Sequence, residues 1–140
     1  MNQLKRTLGI IKPDAVSAGN IGNILAMIEH GGFEIKGLRM LRLRQEHAQA
    51  FYAVHRGKHF FESLVAFMTE GPVVVMVLEK ENAIEAWRAL MGPTDPAKAP
   101  KGTVREAYGT NIERNAVHGS DGNDTAAFEL GFFFSGANLV

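Results

Sequence analysis

Residues 73–78 read Val73-Val74-Val75-Met76-Val77-Leu78, six apolar side chains with no polar residue among them. Gly71-Pro72 precedes this run, and Glu79 follows it. An apolar run of this length, rich in β-branched residues, is typical of a strand that is buried on both faces. We therefore expect it to lie in the middle of a sheet.

Strand and helix patterns alternate on both sides of this run. We predict strands over 7–11 and 35–43, a helix over 21–28, short helices over 45–54 and 60–67, a helix from Asn82 to Gly92, a strand near His118 and a last helix from Asp124. This order indicates an α/β protein, an α+β sandwich with a ferredoxin-like βαββαβ core, a four-stranded antiparallel sheet and additional helices.

Local signals mark several of these boundaries. Pro13 should stop the first strand and leave Lys12 at its exit, and Gly31-Gly32 should close the helix over 21–28. Asn82 with Glu85 resembles a capping box, whereas Arg44 is a poor cap. The inner face of the last helix should consist of Ala126, Ala127, Leu130 and Phe134.

Composition limits the class of protein. The chain has 140 residues, 46% of them hydrophobic, which suffices for one domain over residues 1–140. Fifteen basic and fifteen acidic side chains cancel, so no overall charge favours nucleic acid or membranes. The absence of cysteine excludes disulfides, thiolate metal sites and cysteine nucleophiles. With no apolar stretch of membrane-spanning length, we expect a soluble, full-length, cytoplasmic protein.

Common catalytic motifs are absent. The sequence has neither G-x-x-x-x-G-K-[ST] nor G-x-G-x-x-G, and neither H-E-x-x-H nor G-x-S-x-G. Familiar phosphate-binding loops, zinc proteases and serine hydrolases therefore lose support. The segment between Gly92 and His118 contains three prolines and little periodicity, and connections of that length are usually functional.

One histidine stands out in Asn115-Ala116-Val117-His118-Gly119-Ser120-Asp121. A nucleophilic imidazole needs one free ring nitrogen, space for phosphorus and an acceptor on its other nitrogen. Gly119 leaves that space, and Glu129 could be the acceptor, directly or through Ser120. Without further evidence, however, a histidine in such a segment is more often a residue of a surface turn than a nucleophile.

Several segments together carry a family resemblance. They are Arg6-Thr7-Leu8, Ile11-Lys12-Pro13-Asp14-Ala15-Val16, Phe51-Tyr52, Phe60-Phe61, Met68 with Gly71-Pro72-Val73-Val74, Met91-Gly92-Pro93-Thr94, Gly102-Thr103-Val104-Arg105 and the seven residues around His118. In order and spacing the chain resembles the nucleoside diphosphate kinases, from Arg6 to about Phe134.

The resemblance implies a phosphotransferase with a ping-pong reaction. A nucleoside triphosphate phosphorylates His118, and a different nucleoside diphosphate takes the phosphate, with broad base and sugar tolerance across ATP/ADP, GTP/GDP and others. It implies Mg²⁺ as cofactor, held mainly by the nucleotide phosphates and not by a protein metal site. It also implies a homo-oligomer, a tetramer or hexamer built from dimers, although Lys101 and the short tail alter regions that make subunit contacts.

The resemblance also implies roles for ten residues. For nucleotide binding these are Lys12 and Asn115 at the sugar hydroxyls, Phe60 under the base, and Arg88, Thr94 and Arg105 at the phosphates. For catalysis they are His118 as the nucleophile, Glu129 and Ser120 orienting its imidazole, Tyr52 at the border of the site and Lys12 near the transferring phosphate. Taken singly, Phe60 would more often be a core residue, Arg88 a partner for Glu85, and Lys12, Thr94 and Arg105 solvated side chains.

Some positions depart from the family pattern. His59 stands where proline is common, Arg44 where serine or threonine is common, Gly122 where serine is common, and Phe128 where a basic residue is common. Gly122 and Phe128 could change how the last helix supports His118. The other histidines match no catalytic position, and we interpret them as surface or packing residues.

Two other classes of function are compatible with the fold. A nucleic-acid-binding module could display aromatic residues on such a sheet, but the balanced charge and the missing K/R-G-F/Y-G/A-F-V motif argue against it. A non-catalytic regulatory protein would not need the complete set of site residues.

Overall fold

The computed structural model describes residues 3–140. Its strands are β1 (Leu4–Ile11), β2 (Glu34–Leu41), β3 (Val73–Glu81) and β4 (Val117–Gly119). Its α-helices are α1 (Pro13–Ser17), α2 (Ile21–His30), α3 (Gln45–Phe51), α4 (Phe61–Met68), α5 (Ala83–Met91), α6 (Val104–Tyr108) and α7 (Asn123–Phe133). Single 3₁₀ turns lie at Ala53–His55, Pro96–Lys98 and Gly136–Asn138. Over residues 3–140, every helix is too short or too polar to span a bilayer.

The four strands form one antiparallel sheet in the order β2-β3-β1-β4. β3 contains the apolar run 73–78 and has a neighbour on each side, so its predicted central position is confirmed. The pairs from Leu4↔Glu81 to Ile11↔Val74 join β3 to β1. The four-stranded antiparallel sheet with its helices confirms the predicted fold class.

Side chains of β3 alternate between two core layers. Val74, Met76 and Leu78 pack with residues of α1, α2 and α5, while Val73, Val75 and Val77 pack with residues of α3, α4 and α7. All six are at most 4% exposed. Helices on both faces explain why this strand carries no polar residue over 73–78.

Strand boundaries differ from the prediction where pairing, and not hydrophobicity, sets them. β1 begins at Leu4 because its polar start pairs with the end of β3, where Arg6 Nε donates to Glu79 Oε2 at 2.8 Å. β2 ends at Leu41, opposite Val73, because β3 offers no partner beyond that residue.

Two helices were not predicted, α1 and α6. Each has five residues, too few for an apolar period to appear. Pro13 is the first residue of α1, where its fixed φ is compatible with a helix, so the residue that ends β1 also begins a helix. The Thr103 side chain caps α6 by accepting from the Glu106 amide at 3.3 Å. The segment after Gly92 is thus more ordered than its sequence indicates.

Details of two predicted helices are wrong. Asn82 precedes α5 in a left-handed conformation, φ 52°, and its side chain makes no capping hydrogen bond. In α7 Ala127 is exposed, and Phe133 joins Ala126 on the buried face because seven residues return to the same side of a helix. Phe134 is buried, but it lies just beyond the helix.

The predicted helices over 21–28, 45–54 and 60–67 correspond to α2, α3 and α4. Gly32 closes α2 with a φ of 88°, as expected for a glycine at that position. Arg44 precedes α3 without a side-chain capping bond, which confirms that it is a poor cap.

The double burial of β3 gives a stability prediction. Val75→Thr keeps the shape of a fully buried side chain but adds a hydroxyl to an apolar layer. We expect the free energy of unfolding in urea to fall by roughly 1–3 kcal/mol, the usual cost of burying such a group. As the matched control, Val54→Thr at a 79% exposed site should change it by less than about 0.5 kcal/mol. Equal losses in the two variants would contradict the assignment.

Candidate active site

The pairing of β1 with β4 brings two distant segments together. Ile10 lies opposite His118, and just beyond the strands the Lys12 amide donates to the Ala116 carbonyl at 2.8 Å. Because β4 has only three residues, this pairing decides where it lies. Lys12, at the exit of β1, and His118, on β4, consequently line the same pocket.

A carboxylate holds the imidazole of His118. Nε2 of His118 lies 2.9 Å from Oε1 of Glu129, and Ser120 Oγ donates to the same oxygen at 2.8 Å. Because a carboxylate only accepts, this contact assigns the proton to Nε2 and leaves the lone pair on Nδ1. Ser120 is fully buried, so its hydroxyl fixes Glu129 from behind the pocket.

Aromatic rings limit how this imidazole can turn. The rings of Phe51 and Tyr52 approach it edge-on, with centroids 5.5 and 6.1 Å away. Tyr52 is buried, and its Oη has no hydrogen-bond partner in residues 3–140. Burial, and secondarily the charge of Glu129, raises the pKa of this phenol well above its usual range, so it stays neutral.

Trp87 supports the backbone under the histidine. Its Nε1 donates to the His118 carbonyl at 3.2 Å. A Cβ on Gly119 would lie 2.6 Å from Trp87 Cδ1, so the strand can pack on the indole only where that residue has no side chain. Gly119 therefore allows a close approach to Trp87, in addition to leaving space beside His118.

His118 lines a pocket of about 850 Å³. Eight of the ten residues to which the family resemblance assigns roles line this pocket: Lys12, Tyr52, Phe60, Arg88, Thr94, Arg105, Asn115 and His118. The other two, Ser120 and Glu129, lie behind His118. The structure therefore brings together residues that are more than a hundred positions apart in the chain.

Lys12 and Asn115 form one hydrogen-bonded unit in the pocket. Lys12 Nζ donates to Asn115 Oδ1 at 2.8 Å, and Asn115 Nδ2 donates to the carbonyls of Thr94 and Ile112 at 3.0 and 2.9 Å. Lys12 is only 7% exposed, so it is not the solvated side chain that its residue type suggests. Burial first, and the nearby Arg105 second, lowers the pKa of Lys12 to about 8.

Two arginines line the pocket, and they differ in burial and in hydrogen-bond partners. Arg105 is 8% exposed and donates to the carbonyls of Gly92, Asn115 and Val117 at 2.9, 3.3 and 2.8 Å. Burial, and then the charge of Arg88, lowers the pKa of Arg105 to about 10, which leaves it charged at neutral pH. Arg88 is half-exposed and forms an ion pair with Asp121. A guanidinium has five donors, so Arg105 retains two for a ligand.

Some pocket residues escaped the sequence analysis. Ile112 is 63% exposed, and with Leu64 and Phe60 it gives part of the pocket an apolar lining. His55, interpreted from sequence as a surface or packing residue, also lines the pocket, with its ring centroid 5.2 Å from that of Phe60. For Ile112 the available signal was its isolation as an apolar residue inside the polar stretch 110–115. That isolation could have indicated an exposed apolar contact for a ligand.

No group of three or more His, Asp or Glu side chains within residues 3–140 is arranged to hold a metal ion. Acidic groups that line the pocket are Asp121, already paired with Arg88, and Glu113, which accepts from Ser63 Oγ at 2.7 Å. The chain's own donors therefore suit anionic oxygens better than they suit a bare cation.

Comparison with known proteins gives the same assignment over nearly the whole chain. The family model described as "Nucleoside diphosphate kinase" matches residues 5–139. A nucleoside diphosphate kinase of Syntrophotalea carbinolica is 55% identical over 137 residues, covering 98% of this chain and 100% of that protein.

Solved structures agree in fold as well as in sequence. The nucleoside diphosphate kinase of Aquifex aeolicus superposes with a TM-score of 0.96 at 45% identity, covering 99% of this chain and 100% of that one. A nucleoside diphosphate kinase of Halobacterium salinarum, solved with CDP, gives 0.94 at 40% identity and covers 99% and 92%. The chain belongs to the nucleoside diphosphate kinase family.

Proposed function

We propose that His118 carries the phosphoryl group between nucleotides, in a ping-pong reaction. The observation that supports this most directly is the hydrogen bond from Nε2 to Glu129, because it leaves Nδ1 as the ring nitrogen with a free lone pair. Nδ1 attacks the γ-phosphorus of a nucleoside triphosphate, the bond to the β–γ bridging oxygen breaks, and the diphosphate leaves with that electron pair. A terminal oxygen of a second diphosphate then attacks the same phosphorus and the N–P bond breaks.

Glu129 makes the first of these steps easier. As Nδ1 bonds to phosphorus while Nε2 keeps its proton, the imidazole ring becomes positively charged. The Glu129 carboxylate, 2.9 Å from Nε2 and fixed by Ser120, stabilises that charge without having to reorganise. Tyr52 and Phe51 keep the ring in line for attack.

Cationic side chains receive the phosphates. Phosphoryl transfer depends on positioning and on neutralising charge on the equatorial oxygens. We assign Arg88, Arg105 and the Thr94 hydroxyl to the phosphate oxygens, with Lys12 nearest the transferring group. Arg88 would leave or share its ion pair with Asp121 when the phosphates arrive, because an exposed pair of this kind contributes little stability.

The sugar and base occupy the rest of the pocket. We assign Lys12 and Asn115 to the sugar hydroxyls, and Phe60 to stacking on the base, with Ile112 as a further apolar side chain of the same pocket. Stacking accepts every base because each has a π-face, which accounts for broad tolerance across nucleotides. The relative solved with CDP binds a nucleotide, and this chain should bind nucleoside diphosphates and triphosphates in general.

Magnesium would enter with the nucleotide. Since the residues that line the pocket do not form a metal site, we propose that the phosphates hold Mg²⁺. When bound there, the ion would neutralise phosphate charge and orient the chain of phosphates. Asp121 lines the pocket and pairs with Arg88, so its carboxylate would be available to the hydrated ion.

We further propose that the chain is a single domain that works in the cytoplasm as a homo-oligomer, a tetramer or hexamer built from dimers. β2 is an edge strand of the sheet and exposes Leu38 (51%) and Met40 (59%) along it. Edge strands with exposed apolar residues favour pairing with another copy.

The reaction gives the central prediction. After incubation with γ-labelled ATP and Mg²⁺, the isolated protein should carry acid-labile label, and an unlabelled GDP added afterwards should remove it as labelled GTP. His118→Ala should take up no label, because among residues 3–140 no other side chain that lines the pocket offers a ring nitrogen held by a carboxylate. Transfer by His118→Ala at the wild-type rate would overturn the assignment.

Glu129→Gln is the companion variant in this experiment. The amide oxygen can still accept from His118 Nε2 and Ser120, but it has no charge. We expect the label to form on the same histidine, roughly ten- to a thousandfold more slowly, since a preorganised charge near the reacting group has effects of that order. Unchanged kinetics would limit Glu129 to orienting the ring.

The buried lysine makes nucleotide binding depend on pH. Lys12 has a pKa of about 8, and the charged groups that act on it are Arg105, Asp14 and Glu113. Below pH 8 the protonated lysine binds the anionic nucleotide, and above it the charge is lost. The calorimetric Kd for ADP should therefore weaken by roughly tenfold from pH 7 to pH 9, whereas Lys12→Met should bind weakly with no such slope. The upper limit of pH 9 keeps Arg105 charged.

Solution mass tests the oligomer. Light scattering should give a mass of four or six chains, and Met40→Asp should reduce it, because charges on an edge strand oppose pairing. A monomeric wild type would contradict the proposal. Thr110→Asp, at an exposed position outside β2, should leave the mass unchanged.

A further inference from the structure

The turn before β4 has an unusual backbone. Ala116 has a φ of 75°, in the left-handed region that residues with a Cβ avoid, and it is fully buried. Around it the Val117 amide donates to the Asn115 carbonyl at 2.9 Å. A bond between residues two apart with this φ at the centre describes a γ-turn of the rare, strained kind.

This turn separates two parts of the site. Asn115, on one side, holds Lys12 through a 2.8 Å hydrogen bond, and His118 follows two residues after Ala116. If Ala116 relaxed to a negative φ, the direction of Asn115 relative to His118 would change. Strained backbone persists only where the surroundings determine it, so the contacts of Ala116 have to maintain this conformation.

Asp14 supplies one of those contacts. Its Oδ2 accepts from the Ala116 amide at 3.1 Å, while the Ala116 carbonyl accepts from the Lys12 amide at 2.8 Å. Both polar backbone groups of Ala116, its amide and its carbonyl, are therefore hydrogen-bonded to residues at the exit of β1. Asp14 is half-buried, and its Oδ1 is buried without a hydrogen-bond partner in the described residues 3–140.

Burying the Asp14 carboxylate is unfavourable. Its presence at this position therefore suggests that it has a role in the protein. Burial raises the pKa of Asp14 above its ordinary value, and the amides of Ala15 and Ala116 partly oppose that effect. The charged groups that interact with it are Lys12, two residues before it in the chain, and Arg114. No role follows for Asp14 from the phosphoryl transfer itself.

We infer that Asp14 is a positioning residue: it holds Ala116 in the strained γ-turn and thereby fixes Asn115 and Lys12 relative to His118. The inference rests on the proposed function, since it concerns the geometry of that reaction. Asp14 acts through the backbone and through the charge of Lys12, and it does not contact the nucleotide.

A double-mutant cycle tests the backbone part. Asp14→Ala removes the acceptor, and we expect kcat for phosphoryl transfer to fall roughly tenfold or more, up to about a hundredfold, as for other displaced catalytic groups. Ala116→Gly allows the same φ without strain, so in that background Asp14→Ala should cost several-fold less. Equal losses in both backgrounds, or no loss in either, would overturn the inference.

Asp14→Asn tests the electrostatic part and remains informative where Asp14→Ala does not fold. Its amide oxygen can still accept from Ala116, so a folded variant should keep kcat within a few-fold of wild type. Without the negative charge the loss of ADP affinity with rising pH should begin at lower pH, because Asp14 favours the protonated form of Lys12. An unmoved pH profile, or a kcat loss equal to that of Asp14→Ala, counts against the inference. If the wild type itself transfers no phosphate, the proposed function fails, and the inference that rests on it fails as well; the inference fails alone when the wild type is active and Asp14→Ala costs the same in both backgrounds.

Discussion

The site depends on one buried guanidinium. Arg105, on α6, donates to carbonyls at the end of α5 and on both sides of the γ-turn, so one side chain joins these three segments. Burying a charge is unfavourable unless its donors are satisfied, and three backbone acceptors satisfy most of them. The same bonds commit Gly92, Asn115 and Val117 to fixed positions. Without Arg105 those three carbonyls would lose a common hydrogen-bond partner. The segments that form this wall of the pocket would then no longer be held in their relative positions.

The pocket is electrostatically unfavourable in the absence of a ligand. Lys12, Arg88 and Arg105 lie around one cavity, and burial together with mutual repulsion lowers the pKa of Lys12 and of Arg105. Folding places these cations together at a cost in stability, which the core of β1 and β3 offsets. A bound phosphate reverses the sign of the interaction, because each cation then meets an anionic oxygen. Charge placed beforehand is more effective in catalysis than charge that must be assembled during the reaction.

The sequence predicted the sheet better than it predicted the environment of the site. The central position of β3 could be predicted from its apolar run, and the end of β1 from the ring of the proline that follows it. Both signals lie in the local sequence. The burial of Lys12 and Arg105 could not be read in that way, because both appear as ordinary charged residues until β4 pairs with β1. Phe60 and His118 acquired their roles from the family pattern. Glu129 was already the expected acceptor for the imidazole, and the 2.9 Å contact shows that it holds His118 directly, while Ser120 donates to the same carboxylate oxygen. The turn at Ala116 gave no signal at all, since alanine is not expected at a positive φ.

Gly122 and Phe128, the two departures that lie between His118 and Glu129 in the chain, illustrate how the fold tolerates change beside a site. Gly122 offers no capping side chain to α7, but Thr125 Oγ1 accepts from the Gly122 amide at 2.9 Å and donates to its carbonyl at 3.0 Å, so the helix start is fixed from within. Phe128 is 55% exposed and contacts Phe132, with ring centroids 6.0 Å apart, and Phe132 in turn packs on Phe51 with centroids 5.3 Å apart. Consecutive helical residues point about 100° apart, and the bulk of Phe128 therefore does not displace Glu129. The carboxylate still lies 2.9 Å from Nε2, so the support of the imidazole depends on the position of the helix and not on the identity of its outer face.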